Sequence, residues 1–508
     1  MRYIQIPTTI TYKDLVEKCS LSPSSYKTIT FNNKNVKKIR ELLSEKPQKG
    51  EEVGSFSYVS KSNFYFIRTK ALQTSCFLPV LNDVEYAVPI LPMVFKDFKL
   101  RKGDILISKD ANIGETAYLN EDLPNFMISG GIVKLRFPED IKYYVFAFMK
   151  SEFFRNQIDL MVSRGATIRH AKTLWLDAEI PFPNQQNKEE IVKFVTLLTK
   201  AIIRKEAEIC LKDDRIVNLI ENELKNNQSP RKYQYSYPTI NELQNSNRLD
   251  TSLFCEDFRE KDFKISNYSY GYSTITQLNF EISRGQNLQV SCIGKSIYKD
   301  TKNNNYYALF LPTHITRYGT IEKIIYLGNP LNLKTLKKGD IIFGAEGFKK
   351  GRSILITDDL KRTVTNIHGI ILHHKDNNFL LSVFVRCFLN YLRDEKIIDY
   401  LAVGGQGGSL AQRYWDALKI PNFPGDKQKE IAKHYYTPVT YDSNKLNLNN
   451  FEQEDIRITE LAGILQLDKQ IKTIKEELDK IIQKIILDEE IVISFDFLKK
   501  NNKREGIN

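Results

Sequence analysis

The sequence predicts an α+β protein of two tandem pseudo-repeated globular units, joined and spaced by long helices. Three observations support this fold class. The two halves of the chain resemble each other, each half contains short apolar segments that follow Lys-Gly-Asp turns, and each half ends in a long amphipathic run. At 508 residues the chain is too long for one ordinary domain, and its 42% hydrophobic residues suffice to bury sizeable cores.

The internal repeat is visible in matched segments. "GDILIS" from Gly103 has its counterpart in "GDIIFG" from Gly339, and "IPFPNQQNKEEI" from Ile180 has its counterpart in "IPNFPGDKQKEI" from Ile420. The offset rises slowly along the chain, from 236 positions for the first pair to 240 for the second. Small loop insertions produce such a drift, so the sequence indicates a tandem duplication.

Each copy follows one plan, which sets the predicted domain boundaries. A Gly-Asp turn leads into a short buried strand, because glycine allows the turn conformation and aspartate can bond to nearby backbone. A second strand, an apolar helix, a glycine-containing loop and a tryptophan follow, and an Ile-Pro exit opens the final helix. We predict globular units at 1–184 and 229–424, helical spacers at 185–228 and 425–490, the second with an insertion near 437–455, and a basic tail at 491–508.

The two spacers are predicted as long helical arms. From Lys188, apolar residues recur at the helical period with charged residues between them, and the pattern resumes after the insertion as far as Ile485. About 40 residues at 1.5 Å per residue give a first arm of roughly 60 Å. An apolar stripe of that length needs a partner, and we expect the other arm to supply it in an antiparallel coiled coil. The alternative is that each arm packs on its own globular unit.

Composition and motifs restrict the possible functions. The balance of 74 Lys and Arg against 62 Asp and Glu gives a net charge of +12, which favours polyanionic partners. No segment resembles a signal peptide or a membrane span, so we expect a cytoplasmic protein with no membrane partner. "VGGQGGSL" lacks the Lys-Ser/Thr of a phosphate-binding loop, and no methyltransferase, nuclease or metal signature is found. We expect a protein without catalytic or metal-binding residues.

Polar and basic residues occupy two loops of each copy at equivalent repeat positions. One loop follows the "GDILIS" or "GDIIFG" strand, and the other is the glycine-containing loop before the tryptophan. Lys and Arg can neutralise phosphates, while Arg, Asn, Gln and Glu can read base edges. The alternative is that these are ordinary solvated loops. The candidate DNA-binding residues are Lys109, Asp110, Asn112, Arg164, Arg169, His170 and Lys172 in the first copy, and Glu346, Lys349, Lys350, Arg352, Gln406, Ser409 and Arg413 in the second.

These features resemble the specificity subunits of type I restriction–modification systems. The resemblance lies in the paired strands, the paired Ile-Pro exits and "RLDTSLF" from Arg248, which is similar to the segment that opens each target-recognition domain in that family and in related type II S subunits. It covers nearly the whole chain. Trp175 and Trp415 depart from the family pattern, because an aliphatic residue is more usual at both positions.

The resemblance implies that each globular unit is a target-recognition domain for one half of an asymmetric, bipartite duplex site. The arms would set the half-site separation and dock two modification subunits. Those subunits, and not this chain, would hold S-adenosylmethionine, flip an adenine and methylate its N6. Restriction and motor subunits are further possible partners. The residues expected at the subunit interface are Ile191, Leu198, Ile202, Ile471, Ile474, Leu478 and Ile481.

Two other functions remain open at this point. The chain could be a non-catalytic DNA-binding scaffold of another phage-defence assembly, with the same fold but no sequence-specific reading. It could also be a combined enzyme, which the missing motifs disfavour. A neighbouring adenine-methyltransferase gene would favour the specificity subunit.

Overall fold

The computed structural model describes residues 3–18, 21, 26–162, 170–358, 362–404, 407–410 and 412–501. The chain forms two compact units. Unit 1 comprises Met1–Glu208, Thr440–Glu460 and Lys469–Asn508, and unit 2 comprises Ile209–Val439 and Leu461–Asp468. Helices and strands occur together in both units, which confirms the predicted α+β class.

Unit 1 contains short strands and helices that connect them. The strands are β1 (Ile4–Gln5), β2 (Thr28–Ile29), β3 (Val36–Lys38), β4 (Gln48–Lys49), β5 (Tyr65–Ile67), β6 (Ala87–Pro89), β7 (Ile105–Ser108), β8 (Thr116–Tyr118), β9 (Phe126–Ile128), β10 (Ile132–Leu135) and β11 (Glu179–Pro181). The helices are α1 (Tyr12–Lys18), α2 (Ile39–Leu42), α3 (Lys142–Lys150), α4 (Glu152–Met161) and α5 (Lys188–Asn226), which continues into unit 2.

Unit 2 contains a second series of the same kind. Its strands are β12 (Tyr272–Ser273), β13 (Phe280–Arg284), β14 (Ile297–Lys299), β15 (Tyr307–Leu309), β16 (Ile325–Gly328), β17 (Ile341–Gly344), β18 (Ser353–Leu355), β19 (Thr363–Val364), β20 (Gly369–His374) and β21 (Ile420–Pro421). Its helices are α6 (Ile240–Ser246), α7 (Glu256–Ser266), α8 (Val290–Ile293), α9 (Phe379–Asp394), α10 (Ile397–Leu401) and α11 (Gly425–Tyr435).

The strand order is repeated between the units. The antiparallel sheet β4-β10-β7-β8 of unit 1 corresponds to β13-β20-β17-β18 of unit 2. The sheet β6-β5-β9 corresponds to β16-β15-β19, to which unit 2 adds β14, and the pair β3-β11 corresponds to β12-β21. Even the parallel pairing is repeated, between β5 and β9 and between β15 and β19. The tandem duplication is therefore confirmed.

The Gly-Asp turn before β7 and β17 has the geometry that the sequence predicts. Gly103 and Gly339 have φ angles of 95° and 88°, which favour glycine over residues with a side chain. The following Asp104 and Asp340 each accept a hydrogen bond of 2.8 Å from the backbone amide three positions earlier. Each turn therefore fixes the start of the strand that leads to a candidate loop.

The "RLD" segment anchors the start of unit 2. The Arg248 guanidinium is buried and pairs with Asp250 at 2.6 Å through Nε. Its Nη1 also donates to the backbone carbonyl of Leu401 at the end of α10, at 2.9 Å. This motif therefore ties the N-terminal part of the unit to a helix about 150 residues later.

Within unit 1, the first arm lies against two helices of the second arm, α12 (Phe451–Leu461) and α13 (Ile464–Leu487). Glu206, in the middle of α5, pairs with Lys475 of α13. Gln185, just before α5, contacts Glu489, just after α13. The start of α5 therefore lies at the end of α13, and the two helices run antiparallel. Lys193 and Lys205 of the same arm contact residues 449 and 459 respectively, so α5 and α12 run parallel. The predicted antiparallel pairing is found with α13, and α12 adds a parallel neighbour.

The second arm is broken more often than the sequence analysis expected. The insertion ends at Phe451, and a further break separates α12 from α13 at Gly463. The Gly463 amide donates to the Thr437 carbonyl at 3.0 Å, and a Cβ at this position would lie 2.5 Å from the Thr437 nitrogen. Close backbone approach therefore requires glycine here and interrupts the helix.

The first part of the predicted basic tail at 491–508 packs into unit 1, and residues 502–508 lie outside the described residues. Ile491, Phe495 and Leu498 are buried in unit 1. Phe495 packs edge-on against Phe194 of α5 and stacks on Phe451 of α12, with ring centroids 5.1 and 4.7 Å apart. Because these apolar side chains leave water, residues 491–498 belong to the core of unit 1.

The residues expected at a subunit interface also require correction. All of them are buried inside unit 1, with at most 5% of their surface exposed. A partner chain cannot dock on side chains that already pack within the arms, so other faces of these helices would have to meet it. The residues concerned are Ile191, Leu198, Ile202, Ile471, Ile474, Leu478 and Ile481.

Two further features can be stated for the part of the chain that the structure describes. There, no helix combines the length and apolar character needed to cross a bilayer. There also, no group of three or more His, Cys, Asp or Glu side chains is arranged to hold a metal ion.

Candidate nucleic-acid interface

In unit 1, the loop that joins β7 to β8 spans residues 109–115. Its corners are formed by Ala111 and Gly114, with φ angles of 59° and 82°. The Lys109 amide donates to the Gly131 carbonyl at 2.9 Å, and the Ala171 amide donates to the Lys109 carbonyl at 2.8 Å. These backbone bonds bring the end of the second candidate loop against the first.

Asp110 joins the two loops of unit 1 through its side chain. Its carboxylate pairs with Lys109 Nζ and with His170 Nδ1, each at 2.6 Å. Burial opposes ionisation of Asp110, but the hydrogen bonds from Lys109 and His170 outweigh it and lower the pKa of this carboxyl. Lys109 and Asp110 are therefore engaged with each other, while His170 keeps 56% of its side chain exposed.

In unit 2, the equivalent loop joins β17 to β18 and spans residues 345–352. Gly347 and Gly351 form its corners, with φ angles of 82° and 81°. The Leu410 amide donates to the Ala345 carbonyl at 2.8 Å, and the Gly347 amide donates to the Gly408 carbonyl at 3.2 Å. The same two candidate loops are therefore joined in unit 2 by the same kind of backbone contact.

The joining contact lies at equivalent repeat positions. An antiparallel bridge pairs Asp110 with His170 in unit 1 and Glu346 with Ser409 in unit 2. The members of each pair come from segments about 60 residues apart in sequence. The structure thus brings together the loops that the sequence analysis identified separately.

The basic side chains of the 345–352 loop turn back towards unit 2. Lys349 Nζ and Arg352 Nη1 donate to backbone carbonyls in the segment 313–315, at 2.9 and 3.1 Å, and Lys350 Nζ pairs with Asp399 at 2.7 Å. Burial, helped by the Arg352 charge, lowers the pKa of Lys349. These three side chains hold the loop in place, a role that the sequence pattern did not indicate.

Sequence reasoning missed two residues beside Glu346. The Glu346 carboxylate pairs with His368 Nδ1 at 2.7 Å and lies 3.9 Å from Arg284 Nη1. Both partners keep more than half of their side chains exposed. A signal for His368 was present, because it directly precedes the strand β20 that the repeat alignment had already identified.

The remaining candidates fall into three groups. Asn112 and Lys172 are exposed to solvent. Arg164, Arg169 and Gln406 lie outside the described residues. Arg413 lies in a 3₁₀ turn, and its side chain is not among those that the structure describes.

The tip of each strand-connecting loop is a further position that the repeat defines. Asn112 follows the left-handed Ala111, and Phe348 follows the left-handed Gly347 at the equivalent position. Asn112 is exposed, and Phe348 exposes 82% of its surface. Sequence reasoning missed Phe348, although the repeat alignment places it opposite a residue that had been selected.

Comparison with known proteins assigns part of the chain to a class, that of DNA specificity domains. Residues 27–210 match the family described as "Type I restriction modification DNA specificity domain". The chain therefore carries a domain of this family across most of unit 1, which confirms the resemblance there.

No curated protein sequence matches the chain. Among solved structures, the S subunit of a type I restriction–modification system from M. genitalium is 12% identical, with a TM-score of 0.43, and the similarity covers 91% of this chain and 99% of that one. The HsdS subunit from Thermoanaerobacter tengcongensis is 13% identical, with a TM-score of 0.27, and the similarity covers 89% and 96%.

Proposed function

We propose that this chain is the DNA-specificity subunit of a type I restriction–modification complex, which reads a bipartite, asymmetric duplex site. One observation carries the proposal. Both units join the same two loops at equivalent positions, while the exposed tip residue is Asn112 in one unit and Phe348 in the other. A repeated frame with different tips is what two readers of different half-sites require.

The division of labour follows from the same family. Two modification subunits would bind S-adenosylmethionine and methylate adenine at N6, and a restriction subunit would cut unmodified DNA. This chain would select the site in the cytoplasm, without catalysing either step. Flipping and methylating a base requires a pocket for the base and the cofactor, and the proposal assigns that pocket to the modification subunits.

The structure refines which candidate residues would read bases. Lys109, Lys349 and Lys350 are held by carboxylates or backbone carbonyls of their own unit, so we assign them to positioning the loops. Exposed polar side chains at the loop surface, such as Asn112 and His170, are the better base readers. An asparagine can form two hydrogen bonds to the edge of an adenine in the major groove.

The test is methylation-site sequencing of cells that carry the chain together with its modification subunits. The intact chain should give a bipartite motif with adenine methylation in both halves. Asn112→Ala should relax sequence preference in one half by about 1–3 kcal/mol, and leave the other half unchanged. Lys172→Ala should weaken methylation of all sequences more evenly if this lysine contacts phosphate.

Two results would count against the proposal. Methylation without a bipartite motif would favour a scaffold that binds DNA without reading it. Methyl transfer by the isolated chain would show that it is an enzyme in its own right.

A further inference from the structure

The loop tips of the two units occupy one position in a shared frame. In both loops a residue with positive φ directly precedes the tip, and a glycine with positive φ follows it, Gly114 in unit 1 and Gly351 in unit 2. Unit 2 has one extra residue between these corners. Asn112 and Phe348 are therefore presented by equivalent backbone, although an amide side chain can form hydrogen bonds and the phenylalanine ring cannot.

Phe348 is presented on a braced loop. Among residues 345–352, all of which the structure describes, only Phe348 is exposed to solvent. Its neighbours Lys349, Lys350 and Arg352 are bonded back to unit 2, and the Gly347 amide is bonded to Gly408. An exposed ring on a restrained loop loses little further conformational freedom when it binds, so its contacts contribute more fully to affinity.

We propose that Phe348 inserts its ring between two neighbouring base pairs in the half-site read by unit 2. This inference rests on the proposed function and adds a mode of reading to it. Proteins use Phe, Leu, Ile and Met as wedges that partly unstack a base step and kink the duplex. Asn112 has no such ring, so unit 1 would read its half-site without a wedge at this position.

Insertion at one step would create specificity without hydrogen bonds. Pyrimidine–purine steps such as TA and CA/TG unstack more easily than other steps. Phe348 would therefore favour a half-site with such a step opposite the loop. The ring would reject stiff steps because of their deformation energy, and it would not need to recognise a base edge.

The experiment uses the full chain assembled with its modification subunits. The probe is a duplex with the methylated motif, carrying 2-aminopurine at successive adenine positions other than the adenine that is methylated, because base flipping would brighten that position by itself. Because stacking quenches 2-aminopurine, its fluorescence should rise at one step of the unit 2 half-site on binding. Phe348→Ala should abolish this rise and weaken binding by about 5- to 100-fold.

Matched variants separate a wedge from a structural role. Phe348→Leu should keep part of the fluorescence rise, because leucine also acts as a wedge. Tyr270→Ala is the control, since Tyr270 is an aromatic residue of unit 2 that is 61% exposed and lies outside both loops. It should leave affinity and fluorescence unchanged. Equal melting temperatures for the three variants and the parent chain would show that folding is intact.

Each other outcome would overturn the inference. If replacing one thymine by uracil reproduces the loss seen with Phe348→Ala and no position brightens, the ring contacts a methyl group and does not insert. If the parent chain gives a bipartite motif but Phe348→Ala changes neither affinity nor fluorescence, the wedge fails and the proposed function stands. If no bipartite motif appears, the proposed function fails and the wedge fails with it.

Discussion

The interior of unit 1 contains charged groups that join α5 to α12. Lys205 Nζ lies 2.8 Å from an Asp455 carboxylate oxygen, and both side chains are fully buried. Tyr441 donates to the same carboxylate at 2.5 Å, and Lys205 also donates to Thr459 at 2.8 Å. Because each polar group has partners, this cluster defines the register of the two helices instead of destabilising the core.

Removing one member should be costly. Lys205→Met removes one cationic partner of the buried Asp455 carboxylate but leaves Arg204 and Tyr441, and we expect the free energy of unfolding to fall by about 1–3 kcal/mol. Lys200→Met is the matched control on the same helix. The side chains of Lys200 and Glu452 are partly exposed to solvent, so their ion pair should contribute less than about 1 kcal/mol to the free energy of unfolding. Denaturant unfolding of both variants measures the difference. Similar losses would show that burial does not distinguish the two pairs.

A buried carboxyl in unit 2 should make stability depend on pH. Burial, with the nearby charge of Asp394, raises the pKa of Asp213 to about 6, against the opposing influence of Arg386, Arg317 and Arg393. The unfolded pKa is near 3.8, so the folded state binds its proton more tightly. The resulting stabilisation is complete below about pH 4 and is lost as pH rises through 6.

Asp213→Asn should remove this dependence. The amide cannot ionise, so the variant should gain stability relative to the parent above pH 6 and show a flatter profile between pH 4 and 6. Unfolding measured from pH 4 to pH 8 gives the comparison. Parallel profiles for the two proteins would contradict the assignment.

At the element scale, the arms carry the apolar seam that their sequence predicts. Ile474 and Ile481 of α13 are buried, with 0% and 3% of their surface exposed. Aspartate at either position would place a charge in this seam, and we expect a loss of several kcal/mol unless the side chain reaches water. Gln483→Asp, at an exposed position of the same helix, should cost only a few tenths of a kcal/mol. Thermal unfolding distinguishes them, and equal melting temperatures would place the isoleucines in solvent.

The sequence predicts an element well when the residues that determine it lie close together in the chain. The Gly-Asp turns before β7 and β17 depend on neighbours within a few positions, so the strands they begin are visible in the sequence. The break at Gly463 depends on contact with Thr437, which lies 26 positions earlier. The helical spacing of apolar residues does not predict this break. The burial of Phe495 likewise depends on rings in α5 and α12.

The candidate loops follow the same rule. Their positions follow from the repeat, but the direction of each side chain does not. Lys349 and Arg352 have the side chains that bind phosphates, yet in the structure they donate to carbonyls of their own unit. Folding brings those carbonyls within reach, so the sequence alone does not reveal these hydrogen bonds. Phe348 is the reverse case, an apolar residue that the sequence would assign to the core and that the fold exposes.

At the scale of the whole molecule, duplication of one frame predicts independent half-sites. If the units read separately, replacing Pro238–Trp415 with the same segment from a relative of different specificity should change one half of the methylated motif. The other half should be unchanged because unit 1 keeps its own loops. Methylation-site sequencing of the chimaera gives the result. A chimaera that alters both halves together would contradict separate reading.

The two units also differ in when their residues are synthesised. Unit 1 draws on both ends of the chain, while nearly all of unit 2 lies between them. A growing polypeptide folds from its N-terminal side as it leaves the ribosome. Unit 1 is begun first but must wait for residues 469–498 before its core can close, whereas unit 2 lacks only Leu461–Asp468 once Val439 has emerged. A nonsense mutation between codons 469 and 498 therefore damages the unit that was translated first.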